Sequence, residues 1–585
     1  MRPLTDRIGP PAGRVALALG AVGVLLAAAD TYVVVLALPD IMVGVGLDID
    51  ELQRAAPLVS MFLLGYVVVL PLAGRISDVA GRLPVLLGAL LVFAGGSLVT
   101  AAATGLAEAV TGRFLQGAGG GALVPVTLAL VADLWPPERR GLPLGVVGAV
   151  QELGAVLGPL YGAIVIALAD WRAIFWINLA TGLVLAAGLY AARRTPIGPA
   201  QHRLGGRDWI GASLAVGAFA AASVALVRPA QLDRSVRWGE LLVPAVEDNY
   251  WTTPVALLSL ALSVGFVVRE LTAQRPLIDV RQAPAVLRAA DLPGSLLLGS
   301  ALGLVVLTFA VADPQVEFMT PAGPWLLVAA GLAAAAFAWW QRRARSPLVP
   351  AAAIRPRQAW GALLVSTFIG AALIAILVDI PVLARTVISG ADQLDAALVL
   401  IRFLVALPVG ALLGGWLLRR VRPALVAATG MALGTAGIAI MATWGTGSLT
   451  SAGDSAVLVV TGVGFGLAIA PVNAALLAAT PQDTHGVASA LIVTARMVGM
   501  LAGLSALTAV GLRRLYAVQA EIAPPTELCP QTPTQCPPYD DAVGEAIIAQ
   551  LQATFTGAAV CAAVAAVAAA TLLRSPAGLM VNRTA

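Results

Sequence analysis

Long apolar runs follow one another along almost the whole chain, separated by short polar connections. A helix needs at least about 17 apolar residues to cross ~30 Å of hydrocarbon. Sixteen runs reach that length, from one at about 14–38 to one at about 550–573. The pattern predicts an all-α polytopic membrane protein with sixteen transmembrane helices, and fourteen helices are the alternative.

The composition supports this fold class and excludes others. Of 585 residues, 59% are hydrophobic and 12% are charged, whereas a soluble domain carries about 25% charged residues. The net charge is only +4, and no stripe of arginines and aromatic residues indicates a nucleic-acid partner. No metal-ligand spacing, nucleophile elbow or phosphate loop occurs, so we expect neither an enzyme nor a metal.

The arginines predict the orientation in the membrane. All 36 basic residues are arginines, and 25 of them lie in alternate connections that include both chain ends. Eight lie in the other connections, and Arg113, Arg402 and Arg496 lie inside apolar runs. By the positive-inside rule, both termini are cytoplasmic. We expect a multi-pass protein of the bacterial inner membrane whose first apolar run is retained, not cleaved as a signal peptide.

The runs divide into groups of six, four and six. This predicts a six-helix bundle at 1–195, four linker helices at 196–357 and a second six-helix bundle at 358–585. The four linker helices form two similar hairpins, which open at Asp208 and Asp291 and indicate a duplication.

The last two runs are too long for a bilayer. Each stays compatible with a helix for about 34–38 residues, or roughly 50 Å. We expect the excess, around 513–549, to project into the periplasm as a helical pair. Cys529 and Cys536 lie in its tip, where the oxidising compartment favours a disulfide.

One connection carries a recognisable motif. The segment 74–82 reads GRISDVAGR, with Gly74, Asp78, Gly81 and Arg82 at its characteristic positions. It resembles the signature loop of the major facilitator superfamily. That resemblance implies a cytoplasmic gate, in which the glycines allow close helix approach and Asp78 pairs with Arg82 or caps a neighbouring helix. A solvated charged turn is the alternative.

Three further segments are similar to motifs of the drug–proton antiporter branch with inserted linker helices. They are 29–39 in the first run, 112–117 in the fourth and 154–162 in the fifth. The glycines at 117–121 indicate close helix packing, not a nucleotide site.

A closer resemblance is to the mycobacterial triacylglyceride exporters that work with a periplasmic lipoprotein. Segments 30–42 and 151–162 carry it, and that family also has elongated final helices. Drug antiporters usually have Thr and Asn where this chain has Tyr32 and Val35, so the expected cavity is more apolar, which suits a lipid. The second linker hairpin departs from the family.

Charges inside the apolar runs are the strongest signal for a mechanism, because a charge at mid-bilayer normally faces a cavity or a partner. Matching their depths gives three candidate pairs. They are Asp30 with Arg113, Glu152 with Arg496, and Asp379 with Arg402. An acid that is paired in one conformation and unpaired in another can couple proton flow to transport. The first two pairs are therefore candidates for proton coupling, and static salt bridges are the alternative. The two histidines, His202 and His485, receive no role.

These observations predict proton-coupled export of a triacylglyceride-like lipid to the periplasm, powered by the proton gradient without a cofactor. The expected partners are the lipid, the membrane and a periplasmic lipoprotein, with the transporter a monomer. Two alternatives stay open. A broad drug efflux antiporter would have a cavity with many polar groups, and an envelope scaffold would have Asp30 and Glu152 packed away from any cavity.

Overall fold

The computed structural model describes most of the chain. The described residues are 11–47, 52–55, 57–192, 208–227, 239–244, 252–273, 281, 283–310, 322–344, 347–350, 354–388, 393–529 and 536–574. The predicted boundary at 195/196 lies outside them.

Sixteen long helices occupy the positions of the sixteen predicted runs. They are α1 Pro11–Gly44, α2 Pro57–Ala80, α3 Arg82–Ala101, α4 Leu106–Leu134, α5 Gly141–Leu168, α6 Arg172–Ala192, α7 Trp209–Val227, α8 Pro254–Thr272, α9 Leu292–Ala310, α10 Gly323–Gln341, α11 Arg357–Val387, α12 Gln393–Leu417, α13 Pro423–Met441, α14 Ala452–Ala479, α15 His485–Gln519 and α16 Pro537–Leu572.

The all-α membrane fold class is confirmed. Fifteen helices are long and apolar enough to cross a membrane, and α9 is apolar over the shorter stretch Leu292–Thr308. The described residues contain no β-strand. This count favours sixteen helices over the alternative of fourteen.

Helices α1–α6 pack as one bundle around α4, which is largely buried. A Cβ atom on Gly117 would overlap the backbone of Phe62 on α2, and one on Gly119 would lie 2.5 Å from the Phe93 N on α3. Only glycine permits such close backbone approach. The glycine run at 117–121 is therefore used for helix packing.

Helices α11–α16 form the second bundle in the same way. Gly430 on α13 and Gly464 on α14 face each other, and a Cβ on either would lie 2.6 Å from the other's carbonyl O. Helix α14 begins with a capping box, in which Ser451 and Asp454 satisfy each other's backbone N–H groups.

The four linker helices form two hairpins, α7–α8 and α9–α10. The first hairpin contacts α3 and α6 through Phe219 and Leu226. The second hairpin packs on α2, where a Cβ on Gly299 would lie 2.9 Å from the Val68 side chain. Both hairpins are therefore attached to the first bundle.

Each hairpin begins with a buried aspartate that binds the end of its partner helix. Asp208 accepts hydrogen bonds from Arg269 Nε and Nη2, at 2.8 and 3.0 Å. These bonds hold the pKa of Asp208 below its ordinary value. Asp291 accepts from Trp340 Nε1 at 2.7 Å and Gln341 Nε2 at 3.0 Å. The matching positions are those expected of a duplicated hairpin.

The last two helices extend beyond the rest of their bundle. Gln552 Nε2 donates to the Trp444 carbonyl O (2.8 Å) at the end of α13, which places Gln552 level with that end of the bundle. The part of α16 from Pro537 to Leu551 therefore projects by about 22 Å at 1.5 Å per residue. Beyond it, Cys529 and Cys536 form a disulfide. We call this the disulfide end and the opposite one, where Asp78 lies, the gate end.

Candidate transport site and gate

A polar cluster around Asp30 is buried inside the first bundle. Asp30 on α1 accepts hydrogen bonds from Arg113 Nη1 at 2.5 Å and from Asn178 Nδ2 at 2.6 Å. Gln116 Nε2 adds a longer bond of 3.4 Å. Each of these side chains is at most 1% exposed. Helices α4 and α6 thus place three donors around the carboxylate of α1.

Arg113 is fixed from several directions. Its Nε donates to the Leu58 carbonyl O on α2 at 3.1 Å, and its guanidinium lies over the Phe62 ring at 4.4 Å. A buried arginine with a carboxylate, a carbonyl and an aromatic ring around it has most of its hydration replaced. The structure therefore brings Asp30 and Arg113 together as a fully enclosed pair.

A cavity of about 60 Å³ lies between the two bundles. Its lining is mixed, with more apolar than polar side chains. The described residues that line it are Val24, Ala28, Thr31, Tyr32, Leu63, Tyr66, Val124, Gln151, Glu152, Ala155, Leu373, Arg496, Met497 and Met500. Tyr32 lies on the cavity wall as expected, whereas the side chain of Val35 lies outside the described part.

Glu152 and Arg496 meet at this cavity. Arg496 Nη1 on α15 lies 3.4 Å from Glu152 Oε1 on α5, and both side chains are 9% exposed. Within the described ranges, this is the one ion pair that joins the two bundles. Whether Glu152 carries a proton therefore changes the electrostatic attraction between the two bundles.

A smaller cavity lies on the other side of Arg496, inside the second bundle. Its volume is only about 10 Å³, and Ser366 and Asn473 contribute polar groups to its wall. Asn473 is 3% exposed. The guanidinium of Arg496 thus has polar surroundings both toward Glu152 and away from it.

The motif at 74–82 forms a compact network at the gate end. Arg82 Nη1 binds Asp78 Oδ1 at 2.6 Å, and Arg82 Nε binds Asp133 Oδ2 at 2.9 Å. The two carboxylate oxygens of Asp78 also accept from the backbone N–H groups of Gly486 and Val487, at 2.8 and 3.0 Å. Asp78 therefore caps the N-terminus of α15 and ties the first bundle to the second.

Glycines allow this contact. A Cβ on Gly74 would lie 2.5 Å from the Gly486 carbonyl O, so α2 and α15 touch backbone to backbone. Gly81 has φ +94°, a conformation that favours glycine, and it separates α2 from α3. In this conformation the gate end is closed.

Asp379 and Arg402 do not form the pair that their depths suggested. Arg402 Nη1 instead donates to Ser455 Oγ on α14 at 2.8 Å. Among the described residues Asp379 has no ion-pair partner. Equal depth does not fix the rotation of a helix, and α12 turns Arg402 toward α14.

Some residues of the site were not singled out from the sequence. Asp133 lies outside the motif at 74–82, and it reaches Arg82 only because α4 ends beside it. His485 was given no role but is 2% exposed at the first turn of α15. A polar residue at the end of a long apolar run is the only signal that could have marked them.

Comparison with known proteins identifies the class. A match to the Major Facilitator Superfamily covers residues 20–341, more than half of the chain. The chain belongs to this superfamily, and it is a multi-pass membrane transporter, not an enzyme. The resemblance seen in the motifs is confirmed.

The similarity to mycobacterial proteins is closer. The chain is 37% identical over 511 residues to a triacylglyceride transporter of Mycolicibacterium hassiacum, covering 86% of this chain and 79% of that protein. It is 36% identical over 525 residues to a triacylglyceride transporter of Mycobacterium tuberculosis, with 87% and 85% covered.

Two solved structures share the fold. The human organic anion transporter MFSD10 matches with a TM-score of 0.52 at 15% identity, covering 94% of this chain and 100% of that chain. The proton:xylose symporter XylE matches with a TM-score of 0.52 at 13% identity, covering 94% of each.

Proposed function

We propose that this transporter exports a triacylglyceride-like lipid from the inner membrane to the periplasmic side, in exchange for protons. The observation that carries the proposal is the Glu152–Arg496 pair at the inter-bundle cavity. The names of the mycobacterial relatives support the lipid. The gate end faces the cytoplasm in this proposal, as the arginine distribution predicts.

Alternating access would use the contacts between the bundles. The cavity opens toward the gate end when the contacts of Asp78 with Gly486 and Val487 break. It opens toward the disulfide end when they re-form. Rocking of two bundles around a central site is the general mechanism for transporters of this architecture.

Glu152 is the proton carrier best placed to affect this cycle. Protonation removes its charge, and with it the ion pair that joins α5 to α15. Arg496 can then turn toward Asn473 in the smaller cavity, which keeps its guanidinium in polar surroundings. Proton uptake thereby lowers the attraction between the bundles at the cavity.

Asp30 would act as a second carrier. It lies outside the described cavity lining, but Arg113, Gln116 and Asn178 connect it to α4 and α6. A proton on Asp30 would leave Arg113 as an uncompensated buried charge. The cluster must therefore rearrange when Asp30 is protonated, which couples the proton to the shape of the first bundle.

The cavity bears on the rival functions. Its wall contains six polar or charged side chains, so broad drug efflux is the second candidate. Glu152 lies on the wall, which argues against a purely structural scaffold, whereas Asp30 is packed away from the cavity as a scaffold would have it. The projecting ends of α15 and α16 would guide the lipid or dock a periplasmic lipoprotein, with a single transporter chain as the working unit.

Reconstituted vesicles test the proposal. With a fluorescent triacylglyceride, a proton gradient should increase transfer by the purified protein, and Glu152→Gln and Asp30→Asn should each lower that increase at least about tenfold. Transfer is read as quenching on the acceptor side. Glu108→Gln is the matched control, because Glu108 bonds Thr104 away from the cavity.

Two results would contradict the proposal. Full gradient-driven transfer by Glu152→Gln would remove this residue from the coupling. Gradient-driven movement of a cationic dye without any lipid transfer would favour drug efflux instead.

A further inference from the structure

A second polar cluster lies beside the Asp78 gate. It consists of Arg140, which immediately precedes α5, His485, which begins α15, and the carbonyl O of Leu477 near the end of α14. Arg140 and His485 are 7% and 2% exposed. The proposed function uses neither side chain.

Arg140 joins the two bundles through carbonyl groups. Its Nε donates to Trp135 O at 2.9 Å and its Nη2 to Ala132 O at 2.7 Å, both at the end of α4. Its Nη1 reaches Leu477 O in the second bundle, at 3.4 Å. Carbonyls in a last helical turn lack helical partners and attract a cation.

The charge of Arg140 is constant over the physiological pH range. Burial lowers the pKa of Arg140 below the ordinary arginine value, but a guanidinium is not deprotonated in proteins. Any pH response of this cluster must therefore come from another group.

His485 shares the same acceptor. Its Nε2 lies 3.1 Å from Leu477 O, and since a carbonyl only accepts, Nε2 carries the hydrogen. Its Nδ1 is buried and has no hydrogen-bond partner among the described residues. The surroundings therefore fit a neutral imidazole.

A second proton on the ring would be poorly accommodated. It would add an N–H donor at Nδ1, where the described residues offer no acceptor. The charged groups around the ring are Arg140, Arg82 and Asp133, two cations against one anion. The ring also begins α15, whose N-terminus carries a partial positive charge.

The geometry points to a second, proton-sensitive part of the gate, which we call the histidine latch: Arg140, Leu477 and His485. While His485 is neutral, Leu477 O holds Arg140 and His485 together and the bundles stay closed at this end. A proton taken up by Nδ1 from solvent at the gate end releases the latch. Because Gly486 and Val487 follow directly, the N–H groups that Asp78 binds are displaced with it.

This inference rests on the proposed alternating access, but its test needs no substrate. Spin labels at Ala191→Cys on α6 and Arg419→Cys after α12, two exposed positions at the gate end, report the distance between the bundles. The background is Cys561→Ala, since Cys561 is the free cysteine among the described residues. Pulsed electron resonance then gives distance distributions at pH 8 and pH 5.

Because the closed arrangement disfavours the charged ring, the longer distance should gain population as the pH falls below about 6.5, the ordinary pKa of histidine. The open-to-closed ratio should rise by up to about tenfold per pH unit for one coupled proton, so the open form should be enriched at pH 5. His485→Gln should remain mostly closed at both pH values, because the amide donates to Leu477 O without titrating. Arg140→Gln should be more open at both. His202→Gln, which changes the chain's other histidine, should respond as the parent does.

Either of two outcomes overturns the latch. One is an unchanged distance distribution between pH 8 and pH 5 in the parent. The other is a full pH response in His485→Gln, which would assign the titration to Glu152 or another acid. Failure of lipid transfer in vesicles would leave these distances as they are, so the two proposals fail separately.

Discussion

At the scale of single residues, the close approach of α2 and α15 at the gate end requires a glycine at position 74. A Cβ on Gly74 would lie 2.5 Å from the Gly486 carbonyl O and 2.8 Å from the Ala490 Cβ. Gly74→Ala must therefore push α2 and α15 apart at the gate end. We expect a loss of about 1–3 kcal/mol for the closed arrangement, measured as faster thiol labelling of a cysteine near the gate and a lower Tm.

Gly88→Ala is the matched control. Gly88 lies in α3, and a Cβ there meets nothing within 4 Å. Replacing glycine by alanine at a helical position with free space stabilises the helix by about 0.5–1 kcal/mol. Equal labelling rates in the two variants would show that α2 and α15 do not need their close approach.

The sequence could predict which buried charges matter better than how they pair. Depth alone placed Asp30 with Arg113, and the structure brings them together because α1 and α4 also turn toward each other. The same argument failed for Asp379 and Arg402, since Arg402 binds Ser455. The role of the Leu477 carbonyl could not be predicted, because every residue has a backbone acceptor and the sequence does not show which one is used.

At the scale of helices, the lengths of the apolar runs predicted the lengths of the helices. The runs that became α15 and α16 exceed a bilayer, and the helices have 35 and 36 residues. The end points were less accurate, and α1 spans Pro11–Gly44 where 14–38 was expected. Capping and tertiary contacts extend a helix beyond its apolar run, and neither follows from hydropathy.

The projecting ends of α15 and α16 should depend on their disulfide. Gly511 packs on Gln550, Ala546 and Ile548 of α16 are also buried, and the Cys529–Cys536 bond lies farther out. We expect Cys529→Ser with Cys536→Ser to speed backbone hydrogen exchange about tenfold or more at the outer part of both helices, because local opening becomes easier. Peptides from the membrane part of α16 should exchange as before.

Mass spectrometry of exchanged peptides measures this, with Cys561→Ser as the control for loss of a cysteine. Cys561 is free and half-buried within α16. Unchanged exchange in the outer segments of the double variant would mean that helix packing alone holds the projection.

At the scale of the whole molecule, the two bundles meet through glycines in the gate half. A Cβ on Gly145 of α5 would lie 2.7 Å from the Ala411 carbonyl O of α12. In the proposed alternating access, this contact and those of Asp78 and Arg140 have to break when the gate end opens. The linker hairpins pack on the first bundle and need not move relative to it.

A disulfide across this contact should therefore stop transport. A Cβ on Gly148 would lie 3.8 Å from the Ala411 Cβ, which matches the mean separation in disulfides of about 3.8 Å. With Gly148→Cys and Ala411→Cys in a Cys561→Ala background, oxidation should reduce gradient-driven lipid transfer by at least about tenfold, because α5 can no longer leave α12. Reduction should restore it.

The control for this experiment is a disulfide between two helices of the same bundle. A Cβ on Gly182 of α6 would lie 3.3 Å from the Ala94 Cβ of α3, so Gly182→Cys with Ala94→Cys gives a cross-link that moves with its bundle. This pair should transport equally well oxidised and reduced, and it also controls for reduction of the native disulfide. Transport by the oxidised Gly148→Cys and Ala411→Cys pair would mean that the gate end does not open between α5 and α12, so the bundles would have to separate elsewhere.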